Sequence, residues 1–186
     1  VMSRAQARAG GLSNSAIARR TRTGEWQRVD RGVFRHRVVP PSWEAELLTR
    51  VLAADGVASH RAAARLWGID DGRFDAIEVS IERGRTYRRS GVVTHELTQM
   101  DLFEPAWVRA IPATPVDRTI LDLGAVLRFG QLEMAADAAL RQRLTTWPRL
   151  HETLHMHSRR GRDGCGRLRA LLEDCLLYTS PSPRDL

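Results

Sequence analysis

The chain has 186 residues, of which 42% are hydrophobic, which suffices for the core of one domain or of two small ones and argues against global disorder. Its formal net charge is +7, and all 29 basic residues are arginines. The absence of lysine excludes a P-loop GKS or GKT motif, a Schiff-base lysine and the lysine of a PD-(D/E)xK nuclease site.

Nothing in the sequence indicates a membrane or secreted protein. No apolar run approaches the roughly 20 residues that span a bilayer, and the first residues do not form a signal-peptide pattern. The two cysteines, Cys165 and Cys175, make neither a disulfide framework nor a metal-ligand cluster. We therefore expect a cytoplasmic protein without a membrane partner.

The positive charge is concentrated at one end of the chain. Residues 1–40, called the head below, hold nine arginines against Glu25 and Asp30, a net charge of +7. Residues 41–186 hold twenty arginines and twenty acidic residues, so their net charge is zero. A basic head on a neutral remainder indicates an anionic partner for the head.

The head begins with two predicted helices. The stretch from Ser3 to Ala9 is typical of a short helix, which Gly10-Gly11 ends. Ser13 is a favourable N-cap for a second helix over 14–22, and Ile17 lies on the buried side of that helix.

A short hairpin is predicted after the second helix. The strands EWQRV and GVFRH flank the turn Asp30-Arg31-Gly32, in which glycine can adopt a positive φ. Helix, turn, helix and basic hairpin in this order are typical of a winged helix-turn-helix. In that motif the second helix enters the major groove and the hairpin lies along the DNA backbone.

Seven side chains of the head are candidates for contact with double-stranded DNA. At about 100° per residue, Ser15, Arg19 and Arg22 point away from Ile17 toward solvent. Arginines neutralise phosphates and release counterions, whereas Asn14 and Ser15 at the helix N-terminus are placed to reach base edges. The candidates are Asn14, Ser15, Arg19, Arg22, Arg28, Arg31 and Arg35. The alternative is a solvated basic face on a protein-interaction domain.

Pro40-Pro41 marks the start of a second domain over 41–174, called the body below. The predicted helices run from Ser42 to Ala54, over HRAAARLW between Ser59 and Gly68, from Thr114 onward, and over about 130–143, 147–158 and 166–174. The predicted strands are AIEVSIE and GVVTHEL, with RAIPATP as a short extended piece. The fold class is therefore α+β, a winged helix-turn-helix head followed by a mostly helical α+β domain with a small β-sheet.

The two predicted strands of the body are joined by RGRTYRRSG, which we interpret as a basic hairpin tip. It contains Arg83, Arg85, Arg88 and Arg89 around Tyr87. These arginines are either a second set of phosphate contacts or a solvated turn whose charge is balanced elsewhere in the body.

The stretch HETLH at 151–155 matches H-E-x-x-H, which places two histidines on one helix face as zinc ligands with a glutamate as base. Leu150 and Leu154 give the same helix an ordinary buried stripe, and the nearby Arg159 and Arg160 oppose a cation. We therefore interpret the match as chance and expect no metal site, no other cofactor and no catalytic residue.

The chain ends in CLLYTSPSPRDL, which loses the helical period and is rich in serine and proline. This stretch resembles read-through of a sequencing adaptor. We expect residues 175–186 to be disordered and not native to the protein.

Several of these stretches resemble a known family. MSRAQARAGGLSNSAIARRTRTGEWQRVDRGVFR is similar to the winged-helix N-terminal domain of the AbiEi family of type IV antitoxins. VASHRAAARLWGI, IPATPVDRTILDL and GRDGCGRLRALLED are similar to the body of its actinobacterial members. The resemblance covers about residues 2–174 and rests on the order and spacing of these stretches. Members of the family usually have one more helix before the position of Val1, and many continue past the position of Glu173 into a nuclease-like domain of the very-short-patch-repair type.

The resemblance implies a DNA-binding repressor of its own operon that also counters a nucleotidyltransferase toxin, with or without direct contact between the two proteins. In the family, the winged domain binds the operator and the following domain carries the antitoxin activity. The alternative is the DNA-targeting half of a nuclease whose catalytic domain is missing from this sequence.

Overall fold

Three clusters of buried apolar side chains organise the described part of the chain, one in the head and two in the body. The structure is a computed structural model, and it describes residues 1–70, 74–97, 103–158 and 164–179, with only the backbone of 175–179. Within these ranges, eight helices and two β-sheets form a mixed architecture, which confirms the predicted α+β class. None of the helices in these ranges is long and apolar enough to cross a membrane.

The two helices and the hairpin of the head follow the predicted order, and a short first strand that the sequence did not predict precedes them. The elements are β1 (Met2–Ser3), α1 (Arg4–Ala9), α2 (Asn14–Arg22), β2 (Trp26–Asp30) and β3 (Val33–His36). The hydroxyls of Ser3 and Ser13 accept hydrogen bonds from the backbone N–H groups of Gln6 and Ala16, both at 3.1 Å, so both helices begin at serine N-caps.

The strands of the head form an antiparallel sheet in the order β1-β3-β2. Gly32 occupies the hairpin turn with φ 69°, a conformation that favours glycine. The two helices pack on this sheet through a small core that consists of Ala7, Ile17, Trp26 and Phe34.

The body contains a mixed five-stranded sheet with helices packed against it. Its strands are β4 (Val57–Ala58), β5 (Ile77–Glu82), β6 (Val92–Leu97), β7 (Ala106–Val108) and β8 (Ile111–Ala113), and their order is β6-β5-β4-β8-β7. The helix α3 (Trp43–Ala54) covers β5 on one side and also contacts the strands of the head. The extended piece that the sequence predicts is β8, and it pairs in a hairpin with β7, which the sequence did not predict.

The pairing of β5 with β6 corrects the predicted hairpin. These strands are parallel, so residues 83–91 are a crossover that returns along the sheet to the start of β6. Tyr87 in the middle of the crossover is only 9% exposed and packs against the core under α3, and its carbonyl accepts a hydrogen bond from the Thr94 hydroxyl at 2.9 Å. Burial of Tyr87 therefore holds the crossover against the sheet, which a solvated turn would not allow.

The remaining helices form the second cluster of the body. They are α4 (His60–Trp67), α5 (Val116–Val126), α6 (Phe129–Arg141), α7 (Trp147–His157) and α8 (Cys165–Thr179). The central α5 packs against α4, α6, α7 and α8, and almost all of its side chains are buried. Its N-cap position is Pro115 rather than the predicted Thr114, whose hydroxyl lies 2.7 Å from that of Thr119.

The last helix extends beyond its predicted end. It runs to Thr179, so residues 175–179 of the segment that we expected to be disordered are helical. No glycine or proline occurs between Gly166 and Pro181, and the chain therefore contains no helix-ending residue near 174. Residues 180–186 lie outside the described residues.

Candidate functional site

The helix α2 turns four of the seven candidate side chains to solvent. Ile17 is buried in the core of the head, whereas Asn14, Ser15, Arg19 and Arg22 are all exposed. This is the orientation predicted from the helical period. The helix therefore presents a polar and basic face to solvent.

Asn14 and Ser15 already make local hydrogen bonds. Arg4 donates from Nη1 to the Asn14 Oδ1 at 3.3 Å, and the hydroxyls of Ser13 and Ser15 lie 2.9 Å apart. Both side chains are therefore oriented before any ligand arrives, and each retains hydrogen-bonding capacity beyond these contacts.

The hairpin of β2 and β3, called the wing below, presents Arg28 and Arg31 to solvent. Arg35 on the same hairpin is only half exposed. Its Nη2 donates to the Gln27 Oε1 at 2.9 Å, across the antiparallel pair that Gln27 and Arg35 form. Arg35 therefore stabilises the wing, and Arg28 and Arg31 are the side chains that a bound polymer would reach first.

The arginines of the head and body differ in how they are neutralised. Within the described residues, eight body arginines form ion pairs: Arg50, Arg61, Arg65, Arg85, Arg89, Arg109, Arg118 and Arg149. In the head, Arg20 pairs with Glu25 at 3.3 Å, and among the described acids none pairs with any of the other eight. The head is therefore basic in its local contacts as well as in its net charge.

Asp30 at the base of the wing connects head and body. Its carboxylate accepts hydrogen bonds from Arg50 Nη1 at 2.6 Å, Tyr87 Oη at 2.8 Å, Arg89 Nη2 at 2.7 Å and the Arg31 backbone N–H at 2.6 Å. Burial alone would raise the pKa of Asp30, but these donors, led by Arg89, outweigh it and hold the pKa well below its usual value. We call this group of contacts the Asp30 clamp.

The Asp30 clamp places the crossover 83–91 beside the wing. Arg89 binds Asp30, the residue before Arg31, and both Arg83 and Arg88 on the crossover are exposed. Arg85 instead pairs with Asp55 and Glu82. A cavity of about 320 Å³ borders the crossover and is lined by Arg85, Arg88 and Arg89. The basic surface of the head therefore continues onto the body, which the net charge of the body did not indicate.

A second polar constellation lies inside the body, where the sequence indicated none. Glu78 on β5 is fully buried, and its Oε2 lies 3.0 Å from the Nε2 of His95 on β6. The rings of His95 and His60 are stacked with centroids 3.5 Å apart. Burial first, and then the charge of His95, lower the pKa of His60 to about 3, so its imidazole is neutral.

The strand pattern gave a signal for this cluster that sequence reasoning missed. In IEVSIE, Glu78 and Ser80 alternate with apolar residues, which is typical of a strand with one solvent face. The structure covers both faces instead, so a carboxylate and a hydroxyl are buried. To predict the burial of Glu78 and Ser80 from the sequence, one would have to know which element covers the polar face of β5.

The HETLH stretch lies in α7, and its leucines and histidines lie on different faces of that helix. Leu150 and Leu154 are buried, whereas His151 and His155 are exposed. Among the described residues, no third His, Cys, Asp or Glu side chain joins these two histidines in a group that could hold a metal ion. The helix that carries the motif therefore packs as an ordinary amphipathic helix, with its leucines in the core.

No protein-family model matches the chain, and no curated protein sequence matches it. The resemblance described above therefore stays a prediction.

Proposed function

We propose that the chain binds double-stranded DNA through the head and the adjoining crossover, and that it is a cytoplasmic repressor and antitoxin of the AbiEi type. The observation that carries this proposal is the set of exposed arginines without acidic partners on α2 and the wing. Each guanidinium can bind a phosphate through two N–H groups and release a counterion.

The arrangement of the elements supports DNA rather than a generic polyanion. A short turn over residues 10–13 separates α1 from α2, and a wing follows, as in winged helix-turn-helix domains. The Asp30 clamp fixes the wing on the body before binding, which lowers the ordering cost of complex formation. Arg83 and Arg88, which are exposed on the crossover that Asp30 binds, would add contacts to the DNA backbone.

The antitoxin role rests on the resemblance alone. We propose a nucleotidyltransferase toxin as the functional partner, which the body would counter in addition to the repression of the operon by the head, with or without direct contact between the two proteins. Within this proposal the protein needs no catalytic residue of its own.

A titration of DNA binding against salt tests the proposal. The full chain is mixed with a labelled duplex from the region upstream of its own gene, or with a shuffled duplex, and anisotropy is followed at several salt concentrations. If about five phosphates are neutralised, the slope of log K against log salt is about −4 to −5. No binding to either duplex at low salt would defeat the proposal in favour of a protein-interaction domain.

Sequence preference is tested on the helix N-terminus. Asn14→Ala removes a side chain near the bases, so we expect it to lower the preference for the upstream duplex by about 1–3 kcal/mol while the salt slope stays unchanged. Equal loss on both duplexes would contradict base contact by Asn14. The antitoxin part is tested separately by co-expression with the neighbouring toxin gene, where rescue of growth is expected.

A further inference from the structure

The face of β5 that points away from α3 is polar and buried. Ile77, Val79 and Ile81 belong to the apolar core, whereas Glu78 and Ser80 alternate with them and have no exposed surface. A buried carboxylate is costly unless a cation or hydrogen-bond donors compensate it. The Glu78 Oε1 has no hydrogen bond, although Arg61 Nε lies 3.2 Å away, so one oxygen is only partly compensated.

Two histidines from different elements meet this carboxylate. His95 comes from β6, next to β5 in the sheet, and His60 is the first residue of α4. One ligand atom from each of Glu78, His95 and His60 lies within 4.8 Å of the other two. Zinc–ligand bonds of about 2.0–2.2 Å place donor atoms of a tetrahedral site about 3.4 Å apart. The three donor atoms are close to this spacing, and a metal would replace the His95–Glu78 hydrogen bond and tilt the two stacked rings until their nitrogen lone pairs converge on it.

The surroundings of His60 leave one ring nitrogen available. Its Nδ1 lies 3.0 Å from the Ser59 hydroxyl, which in turn accepts a hydrogen bond from Ser80 at 2.7 Å. Ser59 occupies the N-cap position of α4 but makes no capping hydrogen bond, because its hydroxyl serves this network. Metal-binding histidines are held in the same way, with the second ring N–H bound to an oxygen.

An open side of the cluster provides room for a further ligand. A cavity of about 380 Å³ is lined by His60, His95, Arg118 and Asp122. Arg118 is 2% exposed and donates from Nε to Asp122 at 2.8 Å, while its Nη1 and Nη2 have no hydrogen-bond partner among the described residues. Two imidazoles, one carboxylate and an open position are the donor set of His₂Glu zinc sites. Arg61 and Arg118 are cations beside this site, so a metal ion competes with Arg61 for the Glu78 carboxylate, and an anion in the open position would offset the positive charge of Arg118.

We propose that Glu78, His95 and His60 form a mononuclear site for a divalent transition metal of the zinc type. The site is independent of the DNA surface, since its ligands lie on β5, β6 and α4. It differs from the H-E-x-x-H match in α7, which serves as an internal control.

Metal binding by the full chain tests the proposal. Zn²⁺ is titrated calorimetrically, and Co²⁺ is used as a probe because four-coordinate Co²⁺ absorbs strongly in the visible range. We expect one Zn²⁺ per chain, with binding abolished in His95→Ala and in Glu78→Gln. Ser59→Ala, which removes only the orienting contact, should weaken binding by about 10- to 100-fold. The double variant His151→Ala/His155→Ala should bind as the wild type does.

Two outcomes overturn the proposal: the absence of stoichiometric binding, or binding that is lost in the α7 double variant and kept in His95→Ala. A readout on the wild-type chain decides the question even where a variant fails to fold. Imidazole nitrogen chemical shifts are recorded for the six histidines with and without Zn²⁺. We expect the resonances of two histidines to shift on addition of Zn²⁺, and both resonances should still be present in the spectrum of the α7 double variant. If the only resonances that shift are those of His151 and His155, which the variant lacks, the proposed site is refuted.

Discussion

At the residue scale, Asp30 joins the wing to the body through side-chain contacts. It is almost fully buried, and three of its four donors come from the body. A charged acceptor with several donors contributes more than a neutral hydrogen bond does, because each donor interacts with a full charge.

We predict that Asp30→Asn lowers the free energy of unfolding by about 2–3 kcal/mol, since the charge-assisted hydrogen bonds from Arg50 and Arg89 are weakened. Urea unfolding measures the change. The matched control is Asp137→Asn, an exposed aspartate on α6, which should leave stability unchanged. Equal effects of the two substitutions would show that the Asp30 clamp adds no stability.

The same carboxylate gives the protein a pH dependence. The pKa of Asp30 is lowered in the folded state, so its stabilising contribution is complete above the unfolded pKa of about 4 and is lost as pH falls toward the folded pKa. We therefore expect the stability difference between wild type and Asp30→Asn to shrink as pH falls from about 5 to about 3. Unfolding curves at several pH values measure it, and a constant difference would exclude a lowered pKa.

Single alanine substitutions test which arginines contact phosphates. Arg31→Ala should weaken all duplexes about equally and reduce the salt slope by about one, because one phosphate contact is lost. Arg88→Ala on the crossover should do the same if the basic surface continues onto the body. Arg141→Ala, an exposed arginine on α6, is the control and should not change the slope. An equal change in all three variants would indicate general electrostatic attraction instead of a defined surface.

At the element scale, α5 and the residue before α8 approach each other closely at Gly124. A Cβ at Gly124 would lie 2.6 Å from the carbonyl oxygen of Gly164, which itself has φ 90°. Arg167 also donates to the Gly124 carbonyl at 2.7 Å. This close approach therefore requires a residue without a side chain at position 124.

We predict that Gly124→Ala lowers stability by about 1–3 kcal/mol, since the added methyl group forces α5 away from Gly164. Gly130→Ala in α6 is the control, because no neighbouring atom lies within 4 Å of the position that its methyl group would occupy. That substitution should be neutral or should stabilise by up to about 1 kcal/mol through helix propensity. Thermal unfolding of both variants measures the difference, and two stabilising substitutions would contradict the close approach.

At the scale of the whole molecule, the head depends on the body. Its own core has four buried residues, and α3 of the body packs against all three of its strands. Chains of about 40 residues seldom bury enough apolar surface to fold alone without disulfides, metals or partners. The two predicted domains are therefore in close contact through α3 and the Asp30 clamp.

We expect a fragment of residues 1–40 to show no cooperative thermal unfolding, whereas the full chain does. Circular dichroism of the two proteins makes the comparison, and the fragment should also bind DNA more weakly than the full chain. A cooperative transition in the fragment would show that the head folds without α3 and Asp30's partners.

The local elements of this protein were predictable from sequence. Serine N-caps at Ser13 and Ser42, glycine in the wing turn and the apolar stripe of α2 act within a few residues, so short windows of sequence determine them. The exposure of Arg19 and Arg22 follows from the same helical period. Composition alone also located the excess charge in the head, because counting residues needs no geometry.

Only the tertiary structure decided the contacts between distant residues. Tyr87 and Arg89 lie 57 and 59 positions from Asp30. The sequence around Asp30 contains no pattern that predicts these two residues as its partners. The parallel pairing of β5 with β6 goes together with the burial of Tyr87 in the crossover, and the meeting of Glu78, His95 and His60 involves three elements that are separate in sequence. Such contacts are set by the packing of whole elements, and local propensity carries no information about them.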